Sequence, residues 1–173
     1  MKTSHDPETQ DDKDTALTIA DWHGQAAVVQ VLLGDVQVDI NTRINMGWTP
    51  LLYAAENGHL EVIRALLAEP RVDPEARNDD GIITLAVAAW NGHADIVQFL
   101  LDDPWVDVNS CNRKGWTPLI FAAGDGHLKV VQVLLADPRV DPEAGKGEDA
   151  TALASAACCG SAAIVKFLLS DSR

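Results

Sequence analysis

Residues 47–67 read GWTPLLYAAENGHLEVIRALL, and this stretch decides the fold. Thr49 has a side-chain oxygen suited to the free amides of a first helical turn. Pro50 follows at the first helical position, where a missing N–H costs nothing. The helix so begun passes through Ala54-Ala55, small residues that allow close packing, and ends at Gly58, which tolerates the left-handed turn that stops a helix. A second helix starts near Leu60. On it Val62, Ile63, Leu66 and Leu67 fall at helical spacing and make one apolar stripe, which a single helix pair is too small to bury.

Outward from this stretch the pattern repeats. Glycines recur at Gly24, Gly58, Gly92, Gly126 and Gly160, and paired leucines at Leu32-Leu33, Leu66-Leu67, Leu100-Leu101, Leu134-Leu135 and Leu168-Leu169, always 34 residues apart. The start signal returns at Thr117-Pro118-Leu119, and the stripe as Ile96, Val97, Leu100 and Leu101 and as Val130, Val131, Leu134 and Leu135. Pairs stacked side by side bury such stripes continuously, each touching only its neighbours in sequence. The expectation is an all-α solenoid of five helix-turn-helix repeats with short hairpin loops, at approximately 11–44, 45–78, 79–112, 113–146 and 147–173, after a flexible acidic tail over 1–10.

Gly47 to Leu51, Ala54-Ala55, Gly58-His59 and Leu66-Leu67 resemble the ankyrin repeat, as do Gly115 to Leu119, Ala122-Ala123 and Gly126-His127. The resemblance covers nearly all of Asp11 to Arg173. The family's usual period is 33. Here one residue is added in the connection Glu69-Pro70-Arg71-Val72-Asp73-Pro74, and only the outer hairpin loop is expected to change shape. The family normally has a histidine after Thr-Pro-Leu, whereas this chain has Thr18, Leu52, Ala86, Ile120 and Ala154 there, so the inner helices are less polar. The first and last repeats both depart from the motif, as capping repeats do.

Composition narrows the partners. The chain has 26 acidic and 13 basic residues among 173, a formal charge of -13, which repels a phosphate backbone and argues against nucleic acid. No run approaches the roughly 18 apolar residues of a membrane span, and the acidic start is unlike a secretory signal. A cytoplasmic, or alternatively nuclear, location is expected. Cys111, Cys158 and Cys159 read as reduced thiols, and adjacent Cys158 and Cys159 lack the spacing of a zinc site. His59, His93 and His127 occupy the family's structural Gly-His position, one per repeat, so no metal and no cofactor is expected.

The resemblance implies a partner on the concave face, at positions flanking the fixed motif. Trp22, Trp48, Trp90 and Trp116, four of the five tryptophans, fall on that set, with Tyr53, Asn57 and Asn91 as further ligand-binding candidates. Trp is costly to expose unless it packs on something, so the clustering is informative. Carboxylates lie among them at Asp14, Asp21, Glu56 and Asp125. Asp21 stands in the second place of the Ala-Ala pair, a small, close-packed position. Facing an open end it carries no consequence; buried between Trp22 and Trp48, its pKa rises and it becomes an acid candidate, with His23 or Glu56 as the second group.

The leading functional expectation is a binding module that recognises a protein or a cationic or apolar ligand on a Trp-lined acidic groove. The alternative is a small stand-alone, cofactor-independent enzyme using that groove for acid/base cyclisation, isomerisation or dehydration of an apolar metabolite through Asp21, His23, Glu56 and Asp125. No nucleophile motif or phosphate loop supports it directly. A small-residue last repeat ending soon after Phe167-Leu168-Leu169 leaves a monomer or a weak homodimer as the expected state.

Overall fold

Thr49 caps its helix by accepting a hydrogen bond from the Leu52 amide, with Pro50 at the helix head. Thr117 and Thr151 do the same for the amides of Ile120 and Ala154. The third repeat has Ile83 in this place, and its first helix begins without a side-chain cap. The computed structural model describes residues 16–104, 106–145 and 151–170. The expected tail over 1–10, Asp14 and the fifth tryptophan, Trp105, lie outside the described residues.

Among the described residues there are ten α-helices and one isolated antiparallel bridge. They run in chain order as α1 Ala16–Trp22, α2 Ala26–Leu33, α3 Pro50–Glu56, α4 Leu60–Leu67, α5 Thr84–Asn91, α6 Ala94–Leu101, α7 Pro118–Gly124, α8 Leu128–Ala136, α9 Ala152–Cys158 and α10 Ala162–Ser170. The fold is all-α, built of helix-turn-helix repeats. Contacts divide the chain into two compact units, Met1–Asp80 and Gly81–Arg173.

In unit 1, α1 packs on α2 and α3, and α4 on α2 and α3. In unit 2, α7 lies against both α5 and α9, and α8 against both α6 and α10, while each helix pair also packs within itself. Within each unit, then, first helices meet first helices and second helices meet second helices, the arrangement by which a repeat stack shares one core. The stripes drive it. Val62, Ile63, Leu66, Ile96, Val97, Leu100, Leu101, Val130, Val131, Leu134 and Leu135 are all buried, and Leu67 is half-buried.

Two further devices tie neighbouring repeats together, and both occur once in each unit. The His59 Nε2 donates to the Trp22 carbonyl, and His127 Nε2 to the Trp90 carbonyl, each at 2.9 Å. These rings lie directly over the glycines that turn the preceding repeat. A Cβ on Gly24 would come 2.5 Å from the His59 ring, and one on Gly92 2.6 Å from the His127 ring, at backbone φ of 69° and 81°.

The second device lies in the lengthened connection, which does more than alter a loop. Arg71 pairs with Glu69 and donates to the Leu33 carbonyl at 2.6 Å; Arg139 pairs with Asp137 and donates to the Leu101 carbonyl at the same distance. Each arginine thus supplies a partner to a carbonyl at the C-terminal end of the preceding repeat's second helix, where carbonyls lack intrahelical donors. Asn41 and Asn109 complete the joint by donating to the Arg71 and Arg139 carbonyls.

Candidate functional site

Each unit brings two tryptophans onto one aromatic side chain of a first helix. In unit 1 that residue is Tyr53 of α3: Trp22, at the end of α1, meets it edge-on with ring centroids 5.7 Å apart, and Trp48 lies against it at 5.3 Å with the planes tilted by 41°. In unit 2 it is Phe121 of α7, with Trp90 at 5.3 Å and 32° and Trp116 edge-on at 5.4 Å and 71°. Edge-to-face and offset pairs are the favourable geometries for rings whose faces are negative and edges positive.

The two clusters differ in exposure. Trp48 is 2% exposed and Tyr53 is fully buried, so both candidates form the wall of the core rather than a surface for a ligand. Trp22 and Trp90 are half-buried. Trp116 is 41% exposed. Hairpin chemistry accompanies the difference. Before Trp48 the chain reverses through Asn45, Met46 and Gly47, all at positive φ, closing a backbone bridge between Ile44 and Trp48. Before Trp116 the side chain of Asn112 accepts from the Lys114 and Trp116 amides, and Gly115 alone of that turn has positive φ.

Trp116 and Phe121 wall a cavity of about 560 Å³ between α7 and α9, completed by Ile120, Asp125, Cys158 and Cys159. This volume falls within the range of small-ligand and side-chain pockets. Its rim carries the exposed Asp125, and its far wall the two exposed cysteines at the end of α9. Lys114 Nζ sits 6.0 Å from the Trp116 ring centroid, at the limit of a cation–π contact. Sequence reading chose Trp116 and Asp125 but did not select Phe121 and gave the cysteines no role. The available signal was position, since Cys158-Cys159 follow Ala156-Ala157 as Asp125 follows Ala122-Ala123-Gly124.

Asp21 is the other unusual feature. Its side chain is fully buried, and neither carboxylate oxygen has a hydrogen-bond partner. The open-end alternative therefore fails. Burial disfavours the ionised form and raises the pKa from 3.8 to about 8. Because both oxygens lack partners, neither the exposed His23 nor the half-buried Glu56 is hydrogen-bonded to it. Asn57 and Asn91 use their side-chain amides locally, donating at 3.0 Å to the Tyr53 and Val87 carbonyls of their own helices.

Among the described residues no group of three or more His, Cys, Asp or Glu side chains is arranged to hold a metal, and no helix is long and apolar enough to cross a membrane. A family model described as ankyrin repeats (3 copies) matches residues 2–78 and 83–173. None of the curated proteins compared with the chain matches it.

Proposed function

The chain belongs to the ankyrin-repeat family, whose repeats generally serve as protein–protein interaction modules, and on that premise we propose that it binds a basic, aromatic-containing protein segment at the α7–α9 cavity of unit 2. The observation that carries this reading is Trp116, a large apolar side chain left 41% exposed at the wall of a preformed cavity. A half-exposed indole with a ring already packed against one edge contributes contact area at little entropic cost, the profile of a binding hot spot.

Charge supports the choice of partner. The chain's formal charge is -13, and Asp125 stands on the cavity rim. A Lys or Arg beside the inserted ring is attracted by the carboxylate, and an acidic segment is repelled over a longer range. A catalytic use of Asp21 has the proton that it needs, but the side chain lacks contact with solvent.

Random peptides selected on the immobilised full chain test the reading. The expected enrichment is for an aromatic or long aliphatic residue next to Lys or Arg, with binding weakened at least about ten-fold by Trp116→Ala, the loss of one hot-spot contact. Asp125→Asn should weaken it less, and mainly at low salt. Selection of acidic peptides, or binding indifferent to Trp116→Ala, overturns it.

A further inference from the structure

Asp21 occupies a place that the repeat reserves for a small apolar residue. Ala55, Ala89, Ala123 and Ala157 stand at the corresponding positions, and in unit 2 the matching Ala89 is buried beneath the same arrangement of rings and the same His-to-carbonyl joint. Alanine meets every packing requirement there. The carboxyl in unit 1 adds a polar group that is fully buried and has no hydrogen-bond partner on either oxygen. Leaving a buried polar group unsatisfied is costly, and leaving it charged is far costlier.

Among the described residues, the elements packed against it offer no cation to compensate. Helix α1 packs on α2, which has no titratable side chain, and on α3, whose titratable groups are Tyr53 and Glu56. Neither side chain can supply a positive charge. In the adjoining turns His23 is exposed and His59 is engaged with the Trp22 carbonyl. Asp21 therefore stays buried only while it holds a proton. Once that proton passes to water, the carboxylate is stable only where water reaches it, and this requires α1 to separate from α3.

We propose that Asp21 is a proton-operated latch on unit 1: protonated, it lets α1 close over Tyr53 and Trp48, and deprotonated, it releases α1 and uncovers that aromatic cluster. The raised pKa, about 8, puts the switch within reach of ordinary solution conditions. The latch is separate from the α7–α9 cavity and stands whether or not that cavity binds a peptide.

Amide hydrogen exchange of the full chain between pH 5 and 9.5 tests this, with rates corrected for intrinsic base catalysis. The opening equilibrium of the Ala20, Asp21 and Trp22 amides should rise about ten-fold per pH unit up to about 8 and level off above it, as one proton is lost on opening. It should be flat in Asp21→Ala and in the near-isosteric Asp21→Asn. Ala88, Ala89 and Trp90 of α5 serve as the internal comparison and should show no slope that depends on Asp21. A flat wild-type profile at α1, or an equal slope in the folded Asp21→Ala variant, overturns the proposal. Carboxyl carbon NMR of the wild type gives a check that needs no variant: a titration midpoint in the ordinary range near 4 also overturns it.

Discussion

Asp21, Trp22, Trp48 and Tyr53 of unit 1 and Ala89, Trp90, Trp116 and Phe121 of unit 2 hold matching places in the repeat, two periods apart, yet Trp48 is sealed and its counterpart Trp116 is open. The frame around them is the same: a histidine donating to the first tryptophan's carbonyl, a glycine in the left-handed region beneath that histidine, and an arginine reaching back to the end of the preceding second helix. The differences include one polar substitution and one hairpin. Asp21 replaces a packing alanine, and the turn before Trp48 is closed by two backbone bonds between Ile44 and Trp48, where the turn before Trp116 keeps one, from the Asn112 amide to the Trp116 carbonyl, and takes the other from the Trp116 amide to the Asn112 side chain. A repeat frame therefore leaves the exposure of a side chain undecided even when the motif position and residue type are both the same.

Substituting the second tryptophan of each pair tests the comparison most severely. Trp48→Ala removes a buried indole and should cost about 3–5 kcal/mol. Trp116→Ala removes a half-exposed one and should cost roughly 1–2 kcal/mol. Urea denaturation of each variant reads the difference, and equal losses would mean that the two indoles are equally buried in solution.

Exchanging the first-helix residue comes next. For Asp21 the folded pKa lies above the unfolded value. The stability of the protonated form is therefore fully present below about 3.8 and lost as pH rises towards about 8. At pH 7 the shift corresponds to a penalty on the order of 4 kcal/mol. Asp21→Ala should relieve much of it and flatten the pH profile, while Ala89→Asp should import the same pH dependence into unit 2. Thermal denaturation from pH 4 to 9 reads both, and an Ala89→Asp variant with no pH-dependent loss would show that burial at this position does not itself perturb the carboxyl.

The smaller effect tests where the units should agree. Gly24→Ala and Gly92→Ala each put a Cβ into a histidine ring at positive φ, and each should cost roughly 1–3 kcal/mol, by similar amounts. A large inequality between them would show that the shared frame is looser in one unit.

Much of the fold was legible in the residues themselves. Thr49-Pro50, Thr117-Pro118, the recurring glycines and the leucine pairs act over a few positions of chain, through caps, left-handed turns and 3.6-residue periodicity, so their reading needs no knowledge of distant neighbours. The site was legible in part. Position in the motif singled out Trp116 and Asp125, which line the α7–α9 cavity, but it grouped them with Trp48 and Tyr53, which are buried. The role of Arg71 and Arg139 escaped notice because their acceptors, the Leu33 and Leu101 carbonyls, lie a full repeat away.

By itself the sequence determined the period, the helix starts and stops, the all-α class and the anomaly of an aspartate at a packing position, since each rests on local backbone preference or on comparison of one repeat with the next. Only the tertiary structure decided which tryptophan is sealed and which is open, that Asp21 is shut away from water without a partner, and that Trp116, Phe121, Asp125 and the two cysteines share a cavity. Burial and desolvation depend on what other repeats place around a side chain, and that sum is not written at any single position of the chain.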